Sequence, residues 1–183
     1  IPTSRVPGCG SGHSVVRPRY RDPVRPTSPR PAPAYLTDSV PARRGHPLGF
    51  AHRGAAVDRE NSLAAFVDAH AAGFTYLELD VRTTKDGVLV VRHENLIDGT
   101  TDVAQRPEFA DRKTTKVVDG VALTGWFTED FTLAELKTLR AQERLPQVRP
   151  ESASYDGRYQ VPTFEEVLEL RERLSARYGR EIG

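Results

Sequence analysis

Five ionisable side chains in one stretch of this chain have the types and spacing to do chemistry. Glu78 and Asp80 stand two apart in an apolar run, Leu77-Glu-Leu-Asp-Val81. On a strand that spacing points both carboxylates to one face, with Cα atoms ~6.6 Å apart at ~3.3 Å per residue, while Leu77, Leu79 and Val81 point the other way. Two such carboxylates repel one another unless positive charge lies between them. A hard cation, Ca²⁺ or Mg²⁺, takes oxygen ligands and would resolve the conflict. Taken alone, the pair reads equally as two solvated acids on an exposed face. His52 and His93 each follow a short apolar run. Imidazole titrates near neutral pH and serves as base in one step and acid in the next, which suits a displacement at phosphorus. Either histidine alone reads as a satisfied core or loop residue. Together with the acid pair they form a site. Arg53, next to His52, offers a planar fork for phosphate oxygens.

The elements that must position these groups form a βαβ pattern. The expected first strand is Leu48–Ala51, followed at once by His52-Arg53-Gly54. Asn61 or Ser62 caps a helix whose apolar positions are Leu63, Phe66, Val67 and Ala71, and Gly73 ends it. Phe74–Val81 is the expected second strand and Val88–Val91 the third, joined by a turn at Lys85-Asp86-Gly87. Chemistry at the C-terminal ends of strands is the habit of α/β barrels and open sheets. Residues 94–131 read as a long polar loop of functional character. Thr132–Glu135 opens a short helix running to Arg140. Thr163–Glu166 opens a longer one with Phe164, Val167, Leu168 and Leu174 on its apolar face, ended by Gly179.

Several classes are excluded. No Ser or Cys sits in a nucleophile-elbow context, and there is no dinucleotide fingerprint or P-loop. No apolar run approaches a membrane span, and no signal sequence is visible. The single Cys9 excludes an internal disulfide. His13, His46 and His70 lack a chemical setting, and His70 reads as surface or core filler.

Residues 1–47 differ from the rest. They hold eight Arg, two Asp and ten of the 14 prolines, a net charge of +6 against −5 for the remainder. So few apolar residues among so many prolines predict a disordered tail, 1–47, before a domain at 48–183. The arginines could meet nucleic acid or anionic lipid. Without interleaved aromatics the tail reads as a solvated linker, with no nucleic-acid partner. The absence of Met, even at position 1, is what a processed or partial chain would have.

The linked blocks His52-Arg-Gly54, Glu60-Asn-Ser-Leu-Ala-Ala-Phe66, Leu77-Glu-Leu-Asp-Val81, Thr84-Lys-Asp-Gly-Val88 and His93 resemble the glycerophosphodiester phosphodiesterase family. Residues 94–130 and Pro162-Thr163 are similar to its longer, periplasmic or secreted branch. The resemblance implies an α/β TIM (β/α)8-type barrel of the phospholipase C-like phosphodiesterase kind, with only its N-terminal half present and an insertion at about 94–131. It implies hydrolysis of small glycerophosphodiesters to sn-glycerol 3-phosphate and an alcohol, in lipid and glycerol metabolism. His52 and His93 would be catalytic, Arg53 would bind substrate phosphate, and Glu78 and Asp80 would hold Ca²⁺ or Mg²⁺. Glu60 matches a position near the site, and Lys85 a loop residue. Glu94 stands where many members have Asp. The third metal carboxylate would come from a strand beyond Gly183, so half a barrel is expected to be inactive by itself. Two alternatives stay open: a truncated, inactive piece of such an enzyme, or a related phospholipase D-like barrel lipase. The branch suggests export, and no stable membrane insertion is expected.

Overall fold

The computed structural model describes residues 49–55, 60–179 and 181–183. The expected tail, with Cys9, His13 and His46, lies outside the described residues.

β1 (Phe50–His52) runs parallel to β2 (Tyr76–Glu78), with His52 opposite Glu78. α1 (Leu63–Ala71) connects them; Ser62 caps it, its side chain accepting from the Ala65 N–H at 3.1 Å. The expected single strand 74–81 is in fact broken. β2 stops at Glu78, and β3 (Val81–Thr83) pairs antiparallel with β4 (Leu89–Val91). The break falls where the backbone changes partner. The Arg53 N–H donates to the Glu78 carbonyl at 3.0 Å on one side, and the Arg92 N–H to the Asp80 carbonyl at 2.9 Å on the other. Residues 76–83 thus lie between β1 and β4, as the site requires.

Residues 94–131 are not the irregular polar loop the sequence suggests. They contain 3-10 turns at Asp102–Gln105, Pro107–Arg112 and Thr128–Asp130, and a hairpin of β5 (Thr114–Val118) and β6 (Val121–Gly125). Asp119 and Gly120 at its tip both have positive φ, 50° and 80°. Two successive positive-φ residues make the primed turn whose twist matches that of the flanking strands. Ile97, Val103, Phe109, Phe127 and Phe131 of this segment are buried. Its apolar residues are spaced without helical or strand period, so the reading as a solvated loop missed a core.

α2 (Leu133–Leu136) has the expected capping box on Thr132 and Glu135 but stops well short of Arg140. α3 (Pro150–Ala153) was not expected. α4 (Phe164–Tyr178) has its capping box on Thr163 and Glu166, and ends at Gly179 with φ 62°. It buries Val167, Leu170 and Leu174, whereas Leu168 is exposed. In α1 the buried set is Ala64, Ala65, Phe66, Ala69 and His70, a face rotated from the expected one, with Ala71 exposed. His70 is core filler, its ring edge-on to Tyr178 at 4.5 Å.

β4 divides two cores. Adjacent strand residues face opposite ways, so Val90 packs with Ile97, Phe131 and Leu136, and Val91 with Phe66, Leu170 and Ile182. Both valines are almost fully buried, the pattern of a strand covered on both faces. Gly183 exchanges backbone hydrogen bonds with Thr75 and Leu77, which seats the chain there against β2. Among the described residues no helix is long and apolar enough to cross a membrane.

Candidate active site at the strand ends

His52 ends β1. Arg53 follows at φ 57° and Gly54 at φ 82°. A Cβ on Gly54 would lie 2.8 Å from the Ala65 backbone carbon and Cβ. Gly54 therefore does two things: it takes a left-handed conformation that costs other residues, and it lets the turn close on α1. The Ala55 N–H seals that contact on the Ala65 carbonyl at 2.9 Å.

The turn delivers Arg53 to three acids. Its backbone N–H lies 3.0 Å from Glu78 Oε2. Its Nε is 3.2 Å from Asp80 Oδ2, an ion pair by distance without hydrogen-bond geometry. Its terminal NH1 is 3.5 Å from Glu60 Oε2. Asn61, buried and at φ 57°, steadies the group: its amide donates to Asp80 Oδ2 at 3.3 Å and its N–H to the Arg53 carbonyl at 2.8 Å. His52 Nε2 stands 3.9 Å from Glu78 Oε2, its side chain largely exposed. Despite the strand break, Glu78 and Asp80 both contact Arg53, the first at its backbone N–H and the second at its guanidinium.

His93 reaches this group through Glu94, Arg144 and Glu60, of which Arg144 is the one that sequence reasoning did not find. Its Nδ1 is 2.6 Å from Glu94 Oε1. Glu94 is gripped by Arg144, whose guanidinium also holds Glu60. The result is one chain of ion pairs and hydrogen bonds: Asp80, Arg53, Glu60, Arg144, Glu94, His93. Burial pushes the Glu94 carboxyl up, but the hydrogen bond from His93 and the charge and hydrogen bonds of Arg144 together hold it below the usual carboxylate range. Arg149 adds a second cation 3.9 Å from Glu60 and 2.6 Å from the buried Glu143. Arg92, buried beneath the site, donates to Thr100 Oγ1. Burial lowers its guanidinium to about 10. A pocket opens between Glu60, Arg92, His93, Glu94 and Arg144. Nothing near Arg144 in sequence marks it, since its stretch has no motif and its partners are remote.

The donor chemistry of Glu78 and Asp80 fits a hard cation, because both offer carboxylate oxygens. They are two ligands only. Among the described residues no group of three or more His, Cys, Asp or Glu is arranged to hold a metal ion. In the structure the Arg53 guanidinium pairs with Asp80 and Glu60, while Glu78 accepts only the Arg53 backbone N–H.

An α/β arrangement with acids, imidazoles and a guanidinium at strand ends is the way α/β barrels and open sheets build their sites, and comparison with known proteins narrows the class. The family model of the glycerophosphoryl diester phosphodiesterase family matches residues 52–183. A glycerophosphodiester phosphodiesterase of Arabidopsis thaliana (GDPD6) is 40% identical over 147 residues, covering 80% of this chain and 39% of that protein. One from Haemophilus influenzae is 34% identical over 143 residues, covering 73% of this chain and 37% of its own length. A crystal structure from Silicibacter pomeroyi, assigned to the same enzymes, superposes with a TM-score of 0.50 at 31% identity, covering 74% of this chain and 43% of that one.

This chain belongs to the glycerophosphoryl diester phosphodiesterase family. Its fold is a partial α/β arrangement of the TIM-barrel kind, with no closed barrel among the described residues. The chain spans about two fifths of the length of these relatives.

Proposed function

We propose that this chain carries residues of a site that hydrolyses glycerophosphodiesters to sn-glycerol 3-phosphate and an alcohol, with Ca²⁺ or Mg²⁺ as cofactor and a role in lipid and glycerol metabolism. The observation that carries the reading is the meeting of Glu60, Glu78 and Asp80 on Arg53, directly after His52. Relatives of Arabidopsis and Haemophilus bearing the phosphodiesterase name support it.

Arg53 would orient the substrate by pairing its planar guanidinium with phosphate oxygens. Glu78 and Asp80 would hold the cation, which when bound would offset phosphate charge. His52 and His93 would divide the proton traffic. One accepts the proton of the attacking oxygen as the new P–O bond forms; that oxygen is a water, or the substrate's glycerol hydroxyl, in which case a water then opens the cyclic phosphate by the same exchange. The other protonates the departing alkoxide as the old P–O bond breaks. Glu94 fixes which nitrogen of His93 is free for that exchange, since the carboxylate occupies Nδ1.

The experiment assays the site within a complete barrel that carries residues 48–183, on glycerophosphocholine with Ca²⁺, Mg²⁺ or EDTA, following phosphorus by ³¹P NMR. The expected result is metal-dependent appearance of sn-glycerol 3-phosphate. Formation of a cyclic phosphate that never opens, or of free phosphate alone, would count against this reaction.

A further inference from the structure

We propose that Arg144 is a positioning residue for His93: by bridging Glu60 and Glu94 it presses the Glu94 carboxylate onto His93 Nδ1 and keeps Nε2 as the nitrogen that exchanges protons. This rests on the reading of His93 as a proton-transfer group.

The contact itself is short, 2.6 Å between His93 Nδ1 and Glu94 Oε1. An ionised carboxylate only accepts, so Nδ1 must carry the proton and Nε2 is left for exchange. Sequence neighbours do not hold such a pair by themselves. Glu94 is half-exposed, and a glutamate there would spread over several rotamers. Arg144 removes that freedom. Its NH1 donates to Glu94 Oε1 and its NH2 to Glu94 Oε2 at 2.6 Å, a fork on a fork. The same NH2 donates to Glu60 Oε1, and the other oxygen, Oε2, lies 3.5 Å from Arg53 NH1. Glu60 has further cations in Arg53 and Arg149, whereas Arg144 is the guanidinium that hydrogen-bonds Glu94. Arg92, a further cation nearby, donates to Thr100.

The guanidinium arrives on a firm support. The preceding residue, Glu143, has a side chain only 2% exposed. Its carboxylate accepts from Ser152 Oγ at 2.5 Å, from the Leu145 N–H at 2.9 Å and from Arg149 at 2.6 Å. Its own N–H donates to Asp156 Oδ1 at 2.8 Å. These bonds close residues 143–156 into a platform, and Arg144 projects from it. The low proton affinity of Glu94, which Arg144 helps to set, keeps the carboxylate an acceptor across neutral pH.

The test uses the protein labelled with ¹⁵N in its histidine rings, with His93 assigned by the loss of its signals in His93→Gln. In the parent protein the His93 Nδ1 signal should be that of a protonated nitrogen. In Arg144→Gln it should move toward the mixture of tautomers of a free imidazole, and kcat should fall about ten- to a hundred-fold with KM little changed. Glu94→Gln should shift the ring signal likewise. Arg144→Lys keeps the charge without the fork and should lie between. If Arg144→Gln does not fold, the Lys variant carries the same two readouts. An unchanged Nδ1 signal in the folded variant overturns the proposal. So does a raised KM at constant kcat, which would make Arg144 a substrate-binding group. The ring signal needs no substrate. A parent protein that turns over no glycerophosphodiester would defeat the functional reading alone, while the tautomer would still decide the role of Arg144.

Discussion

Asp86 Oδ1, in the turn between β3 and β4, accepts the backbone N–H of Leu133 at 2.9 Å, across 47 positions of the chain. The same oxygen accepts from Thr84 Oγ1 at 2.6 Å, and Thr84 Oγ1 accepts from the Val88 N–H at 2.9 Å. The Lys85 N–H donates to the Phe131 carbonyl at 2.8 Å. The Thr84-Lys-Asp-Gly87 block is therefore a structural clasp. It closes the β3–β4 turn and supplies a bond to the first turn of α2 that Thr132 does not.

The hydrogen bonds from Thr84 and then Leu133 hold the Asp86 carboxyl below its usual value. A depressed folded pKa contributes stability above the unfolded value of 3.8 and loses it as pH falls through the folded value. Asp86→Ala should lower the thermal midpoint by a few degrees at pH 7. The gap to the parent should close at pH below 3.8. Melting curves across that range check this, and a gap independent of pH would exclude the clasp.

Glu135 is held down to about 2, first by its paired hydrogen bonds from Arg112 and then by the Thr132 backbone. The sign is the same: stability is present above the unfolded value of 4.5 and lost between there and about 2. Both side chains are partly exposed, so solvent discounts the pair to about 1 kcal/mol. Arg112 also lies over the Phe109 and Phe131 rings at 5.3 and 5.2 Å. Arg112→Met should flatten the stability–pH curve in that window while keeping part of the packing. Urea unfolding at a series of pH values between 2 and 7 measures it.

Gly54→Ala should be costly, by about 1–3 kcal/mol, because it combines a left-handed backbone with a 2.8 Å clash against Ala65. Since Arg53 and His52 ride on the same turn, phosphate affinity should fall with stability. A control at Gly157, also at positive φ but with open space around its Cβ, should lose stability without losing affinity. Equal affinity losses in both would show that the α1 contact does not position Arg53.

Replacing the groups at the strand ends separates their roles. His52→Ala and His93→Ala should each cost about 10²–10⁴-fold in turnover while leaving the melt unchanged. Asp80→Asn should weaken cation affinity and turnover together, since it removes a charge from the carboxylate pair and from Arg53 Nε 3.2 Å away. Calorimetric titration with Ca²⁺ and Mg²⁺ reads the first, and the glycerophosphocholine assay the second. Turnover that survives both EDTA and Asp80→Asn would eliminate the metal role.

What the sequence determined by itself is local, because the forces behind it act over a turn or less. Ser62, Thr132 and Thr163 announce helix starts because a short oxygen-bearing side chain satisfies an orphan N–H three residues on. Gly73 and Gly179 end helices because a positive φ costs them little. Residues 76–83 fall between β1 and β4 in line with their apolar pattern. Even the β5–β6 hairpin was written locally, in Asp119-Gly120 between runs of valine, though the length of the surrounding segment obscured it. The tertiary structure alone decided what lies across the chain. It broke the strand at Leu79-Asp80 where the backbone changes partner, and it turned the apolar face of α1 toward Ala65 and Ala69. It also brought Arg144 to Glu60, 84 positions away. No periodicity encodes that last meeting. A charged side chain finds its partner through where the fold places its backbone, and here the Gln142 N–H on the Thr100 carbonyl at 3.0 Å and the Ala141 N–H on the Tyr159 carbonyl at 2.8 Å fix the start of the 141–149 segment.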